Sequence, residues 1–334
     1  MSMELADFDR WLGERNLNGY WNRTATGGDF GPCLWKWADV EEAVKIAGEL
    51  IPMNETGRRV IQMRHPDIGS RMSSTIHMAV QSVVPGEVAR AHRHNAAAIR
   101  FIIKGNPNAA TVVDGEPFPM AEGDLITTPN WTYHDHYNEG TEPVIWVDGL
   151  DVRLVALGKM LGNDYERERQ DPVRPAGYSR RTLGHARPSW ATSEHPTPAF
   201  HYSWAETYDT LLSLKENEAE GDHYDGIRLA YTHPRNGGPT LPTFGCYIQL
   251  LTPSMKTKTH RHLSTSVYHV VRGEGVTTVG DQRFEWAAGD FFVLPPWSWH
   301  NHETVGNDDA ILFTMDDCPV FQALGLYREE VAEA

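Results

Sequence analysis

The chain has 334 residues, 40% of them hydrophobic and 22% charged, which suits two globular domains of ~150 residues better than one. Its formal charge of −15 excludes partners that demand a positive face, so neither nucleic acid nor an anionic membrane surface is expected. A small anionic substrate stays open, because a local cation or metal outweighs a distant, screened field. No run approaches the ~20 apolar residues of a membrane span, and the polar, acidic stretch Met1 to Arg10 predicts no signal peptide. Cys33, Cys246 and Cys318 are few, odd in number and far apart, the usage of buried thiols in a reducing cytoplasm, which is the location expected.

Along the chain, Trp11, Tyr20 and Trp21 among Gly and Asn predict a short helix followed by coil. Asp39-Val40-Glu41-Glu42 has the form of a capping box, with a helical stripe of Ala43, Ile46, Ala47 and Leu50 ending at Pro52. From Arg59 the texture becomes β: Val60 to Met63, Thr75 to Val80, the turn Pro85-Gly86-Glu87, Ile99 to Ile103, and Ala110 to Val113. The hairpin turn Asp114-Gly115, then Gly123 to Thr127 and Val144 to Asp148, continue it. Gly158 to about Pro198, rich in Arg, Glu, Pro and Gly, reads as a connector with one helix. Trp204 to Leu214 reads as another helix. Strands resume at Thr243 to Leu251 and run to Ile311 to Met315, and Val320 to Val331 is expected to dock as a C-terminal helix. Short strands at 8–12-residue spacing predict an all-β sandwich or barrel with peripheral helices.

A repeat decides the architecture. His92-Arg93-His94 returns as His260-Arg261-His262, a step of 168 residues, half the chain. Gly123-Asp124 to Trp131 matches Gly289-Asp290 to Trp297. Trp131-Thr132-Tyr133-His134-Asp135-His136 matches Trp297-Ser298-Trp299-His300-Asn301-His302. Two matched blocks at a nearly fixed offset mean duplicated domains: residues 1–157 with a helical arm, a linker 158–200, and residues 201–334.

Two histidines at i and i+2 leave a β-strand on the same face. A third from a neighbouring strand, His134 or His300, completes a donor set of neutral nitrogens that suits iron, zinc, copper or nickel. Arg100 lies six residues after His94 and on the same parity, so it should face the same interior, either holding a substrate carboxylate or pairing with a core acid. His77 and Gln81 share a strand at even spacing and could line that cavity. His136 projects beside His134, close enough to hydrogen-bond substrate or O₂. Asp148, in a strongly apolar strand, needs a partner, one of these histidines or an arginine.

His-x-His, a Gly-Asp turn and Pro-x-x-x-x-His resemble the two-part signature of the cupin fold, so the resemblance implies two tandem cupin barrels. An ordinary cupin site adds a glutamate four or five residues after the second histidine. Those positions hold Ala98 and Ile99 in one copy, Ser266 and Val267 in the other. Ala98-Ile99-Arg100-Phe101 after His92-Arg93-His94, Trp131 to His136, Trp146-Val147-Asp148-Gly149-Leu150-Asp151, Arg58-Arg59-Val60 and Gln81 before Pro85-Gly86-Glu87 are together similar to the gentisate 1,2-dioxygenase family. Val267 to Val271 extends the likeness into the second half. That resemblance implies a homotetrameric Fe(II) enzyme that uses O₂ to open gentisate, another salicylate or 1-hydroxy-2-naphthoate between the carboxyl- and hydroxyl-bearing carbons.

On the same resemblance, His92, His94 and His134 hold the iron, and Arg100 with Arg58 or Arg59 holds the substrate carboxylate. Gln81, His136 and Asp148 surround substrate and O₂. His77 stands where the family pattern has Trp or Tyr, which opens the site to a substituted salicylate such as a nitro compound. His260, His262 and His300 form a second metal site or a structural relic. With Ser266-Val267-Tyr268 in place of Ala98-Ile99-Arg100, the second barrel is not expected to cleave rings. A manganese oxalate-decarboxylase-like bicupin is disfavoured by the absent glutamates, and a non-enzymatic bicupin by the two intact histidine sets.

Overall fold

A computed structural model describes residues 30–69, 72–184, 187–190, 197–217 and 221–333, with Arg10 and Glu14. The helix expected around Trp11 to Trp21 lies outside the described residues. The chain divides into Met1–Phe30 and Gly31–Ala334, and the architecture below is that of the second unit.

Among the described residues, twenty-two strands build two barrels. The first is formed by β2 (Val60–Gln62), β3 (His77–Val83), β4 (Val88–His94), β5 (Ala98–Lys104), β6 (Asn106–Val113), β7 (Glu116–Met120), β8 (Leu125–Thr128), β9 (His134–Asn138), β10 (Val144–Leu150) and β11 (Gly162–Asp164). The second is formed by β13 (Ile227–Ala230), β14 (Gly245–Leu251), β15 (His260–His262), β16 (Ser266–Arg272), β17 (Glu274–Val279), β18 (Gln282–Ala287), β19 (Phe291–Leu294), β20 (His300–Thr304), β21 (Ala310–Asp316) and β22 (Glu329–Val331). Two further strands, β1 (Cys33–Trp35) and β12 (Phe200–Tyr202), complete the sheets. Their orders match strand for strand: β12-β8-β5-β10-β3-β2 with β1-β19-β16-β21-β14-β13, and β11-β4-β9-β6-β7 with β22-β15-β20-β17-β18. The core of each barrel lies between its two sheets, around Trp146 and Phe118 in one and Trp286 and Phe292 in the other.

The two halves exchange their first strands. β1 precedes the first barrel but pairs with β19 of the second, and β12 follows the first barrel and pairs with its β8. The Gly-Asp turns explain why. Gly123 and Gly289 have φ of +82° and +92°, and a Cβ at either would lie 2.4 Å from the ring of Trp204 or Trp37. The adjoining aspartates cap the helices that those tryptophans open: Asp124 Oδ1 accepts from Trp204 N, and Asp290 Oδ1 from Trp37 N, both at 2.8 Å. Asp124→Ala or Asp290→Ala should each cost about 1–2 kcal/mol of stability by denaturant melting, the loss expected for a helix cap. The same pseudo-symmetry runs through the face where the barrels meet. Asp151 Oδ2 accepts from Thr243 while Asp317 Oδ2 accepts from Thr75, and Phe101 stacks on Phe313 at 4.3 Å.

Several expectations need correction. The helix expected over Asp39 to Leu50 is Trp37–Leu50, capped from afar by Asp290 and not by a local capping box; it buries Val40, Val44 and Ala47 while Ile46 and Leu50 face solvent. The region 158–200 is more than a connector, since β11 pairs with β4 alongside His92–His94. The C-terminal stretch is helical only over Cys318–Ala323; Gly325, at φ +69°, ends the turn, and β22 then pairs with β15 alongside His260–His262. Cys246 and Cys318 are buried, but Cys33 is half-buried. Among the described residues no helix is long and apolar enough to cross a membrane.

Candidate metal centres and the substrate cavity

The alternation of β4 sends His92 and His94 inward and Arg93 outward, where its guanidinium lies over Tyr133 at 4.5 Å and Nε donates to Asn163 Oδ1 at 2.9 Å. His134 begins β9, directly opposite His92. The turn before it is strained, since Trp131 has φ +62°, and is tied down by Trp131 N donating to His94 O at 2.7 Å. Ligand atoms of the three histidines lie within 4.8 Å of one another.

These imidazoles fit a metal ion. Each Nδ1 sits against a backbone carbonyl: His92 on Arg90 O at 3.0 Å, His94 on Ala96 O at 2.7 Å, His134 on Thr132 O at 3.1 Å. A carbonyl only accepts, so Nδ1 carries the proton and each Nε2 keeps its lone pair for a ligand. Burial, with nearby Arg58 and Arg100, pushes His92 down to about 3 and His94 to about 4, and burial takes His134 well below its ordinary range. All three are neutral at pH 7 and form a donor set for a divalent transition ion.

The histidines open onto a cavity of about 350 Å³, roomy enough for a small aromatic acid, walled by Gln81, Arg100, His136 and Asp148. Arg100 is buried; its Nη1 donates to Thr128 Oγ1 and its Nε stands 3.4 Å from Asp148 Oδ1. The two readings of Arg100 therefore coexist, since it faces the cavity and pairs with a core acid. Burial raises the Asp148 carboxyl while Arg100 opposes that shift. Gln81 Nε2 is a buried donor with no hydrogen-bond partner, which calls for an acceptor in the cavity, whereas Arg100 Nε and Asp148 Oδ1 face one another just beyond ordinary hydrogen-bond length. His136 Nδ1 lies 2.9 Å from Thr111 Oγ1, and its ring lies 4.8 Å from that of Trp146.

Of the two consecutive arginines, only Arg58 reaches the site, lining this cavity and a second of about 350 Å³ bounded by Met160 to Asp164. Arg59 does not. It is buried on the other side of the chain in a two-pronged ion pair with Glu87, Nη1 to Oε2 at 2.9 Å and Nη2 to Oε1 at 2.5 Å. The expectation that Arg59 binds substrate is withdrawn, because its fork is already filled by a carboxylate. His77 lines the cavity as expected. Arg153 and Asp164 also line these cavities and carried no signal in the sequence.

In the second barrel His260, His262 and His300 again bring ligand atoms within 4.8 Å. His262 and His300 have Nδ1 on Ser264 O and Ser298 O, at 3.1 and 2.9 Å, whereas His260 Nδ1 has no hydrogen-bond partner. The Arg100–Asp148 pair is replaced as a unit, with Tyr268 facing Thr314 across the same register. A different arginine, Arg228, is present but occupied, Nη1 on Asp225 at 2.8 Å and Nη2 at 3.5 Å from Asp316. No motif flagged Asp225 or Arg228, which lie in a turn and on the short strand β13 that follows it, outside the repeat's signature.

Fold and site thus define a bicupin with a three-histidine centre in each barrel. The cupin domain model matches residues 79–152 and 247–316. The chain is 42% identical to the 5-aminosalicylate 1,2-dioxygenase of Comamonas sp. over 91% of this chain and 83% of that protein, and 38% identical to the gentisate 1,2-dioxygenase of Haloferax sp. over 97% and 95%. The crystal structure of a salicylate 1,2-dioxygenase from Pseudaminobacter salicylatoxidans superposes with a TM-score of 0.87 at 26% identity, over 98% of this chain and 97% of that one. The chain belongs to the gentisate 1,2-dioxygenase family and is an oxidoreductase of that type.

Proposed function

We propose that the first barrel uses Fe(II) and O₂ to open the ring of gentisate or a related salicylate between its carboxyl- and hydroxyl-bearing carbons, in the breakdown of aromatic compounds. The observation that carries this reading is one cavity holding three neutral imidazoles, a buried arginine and the unpartnered donor Gln81 Nε2. When bound by His92, His94 and His134, iron supplies the redox chemistry through which O₂ reacts with an aromatic ring. The protein's share is positioning and charge. Arg100 and Arg58 take the substrate carboxylate, while Asp148 keeps the Arg100 guanidinium oriented. Gln81 Nε2 donates to a substrate oxygen, and His136, held by Thr111, lies where it can exchange a proton with the substrate or the oxygen being transferred.

Reconstitution with Fe(II) without air, followed by exposure to O₂ with gentisate, salicylate and 1-hydroxy-2-naphthoate, tests this. Uptake of O₂ with the rise in ultraviolet absorption of an open-chain keto acid is expected. No uptake with any 2-hydroxybenzoate overturns it. On the same reading the enzyme is a cytoplasmic homotetramer, and the second barrel holds a structural metal ion on His260, His262 and His300 without cleaving rings. The loss of both Arg100 and Asp148 from that barrel supports this division.

A further inference from the structure

We propose that the mouth of the first cavity is a subsite for a second, oxyanionic ring substituent, with Arg153 as its cationic recognition residue and His77 as its hydrogen-bond donor. This rests on the proposed function and narrows its substrate class to 2-hydroxybenzoates bearing a carboxylate or sulfonate opposite the chelating pair, with the nitro group, neutral overall but polarised toward its two oxygens, as the weaker case.

Register brings these residues together. His77 opens β3 and pairs with Leu150, the last residue of β10. The helix Val152–Val155 starts two residues later, so Arg153 stands beside His77 at the same end of the sheet. Gln62, at the end of β2, pairs with Ala79 and joins the same rim. Gln62, His77 and Arg153 line the one cavity that also holds His92, His94, His134 and Arg100. A planar hydroxy-acid whose carboxylate and hydroxyl sit at the histidines and Arg100 must turn its far edge away from them. The rest of the lining there is Val60, Ala79, Leu150 and Val152, aliphatic side chains that pack a ring but recognise no charge.

The charges at the mouth favour oxygen over nitrogen substituents. Arg153 is a cation at all working pH values. His77 is held neutral, its pKa lowered by burial and then by Arg153, so it offers one N–H without adding charge. A guanidinium beside a neutral imidazole suits two or three oxygens that share negative charge, and disfavours an ammonium. An alkyl group of the same size gains nothing from either residue.

The test uses Zn(II)-loaded protein, which binds without turnover, and the near-isosteric pair 4-hydroxyisophthalate (salicylate with a 5-carboxylate) and 5-isopropylsalicylate. Dissociation constants are read by ligand fluorescence and metal loading by elemental analysis. Wild type should prefer the carboxylate at least tenfold. Arg153→Met should lower that ratio at least tenfold, Arg153→Lys should restore part of it, and His77→Phe should lower it about threefold. With Fe(II), kcat/KM for 5-nitrosalicylate over 5-isopropylsalicylate should follow the same order. A ratio unmoved by Arg153→Met, or a wild type that binds both compounds equally, overturns the subsite. If no 2-hydroxybenzoate is turned over while the ratios behave as stated, the proposed reaction fails and the subsite stands.

Discussion

Arg100→Tyr should lower stability by about 3–5 kcal/mol, and Arg100→Tyr with Asp148→Thr should recover most of that while leaving activity at least as low as in the single variant. The single change strands Asp148 as a buried carboxylate without its cation, a defect of this size in other proteins. The double change writes the pair Tyr268/Thr314 of the second barrel into the matching register of the first, where the same fold already tolerates it. Burial raises the Asp148 carboxyl above its unfolded value even with Arg100 present, and without Arg100 the rise must be larger. A carboxyl whose folded pKa is raised binds more protons folded than unfolded, so stability falls as pH climbs from the unfolded value through the folded one. The deficit of Arg100→Tyr should therefore be greatest near pH 8 and shrink as pH drops toward 4. Activity follows a different rule: without Arg100 the substrate carboxylate loses a buried, charge-assisted partner, roughly 10²–10³ in kcat/KM for a loss of ~3–4 kcal/mol. Denaturant melts at pH 8 and 5.5 beside steady-state rates decide it. A double variant no more stable than the single one would mean that Arg100 and Asp148 are not a coupled pair.

Where the residues carried their own periodicity, the sequence was legible. His-x-His on a strand states its own geometry, and a second copy 168 residues on removes coincidence. The Gly-Asp turn was visible as a turn, but not as the socket that receives a tryptophan and caps a helix from the other half, because that contact spans 80 residues or more. Arg58 and Arg59 could not be told apart, since the deciding partner, Glu87, lies 28 residues away on the far side of a strand. β11 and β22 read as linker and helix because three-residue strands have no period of their own; they exist by pairing with the exposed edges of β4 and β15. Asp225, Arg228 and Arg153 are invisible for a related reason. Each matters only through what folding puts opposite it.

The two histidine centres should hold metal unequally, and chelation should reveal it: dialysis against a chelator empties the first barrel before the second. Around the first centre stand Arg58, Arg100 and Arg153 against Asp148 and Asp164, a surplus of one positive charge that repels a cation until an anionic substrate arrives. Around the second, Asp225 matches Arg228, and Asp316, pushed up to about 7 by burial, adds up to one further negative charge near neutral pH. At an effective dielectric of ~20, one unit charge ~10 Å from a divalent ion is worth roughly 3 kcal/mol. The unpartnered Nδ1 of His260 works the other way, by about 10–100-fold in affinity or roughly 1.4–2.8 kcal/mol. A difference of at least one charge outweighs or balances it, and each further fraction of charge on Asp316 tips the sum toward retention in the second barrel. Partial chelation should then leave close to one ion per chain with ring cleavage lost, and a 2-hydroxybenzoate should slow that loss by supplying the missing anion. His94→Ala should abolish turnover yet keep the retained ion, whereas His262→Ala should lose it and still cleave the ring at a measurable rate. Metal that leaves both barrels together, or activity that disappears with His262→Ala in a fully folded protein, would refute this division of labour.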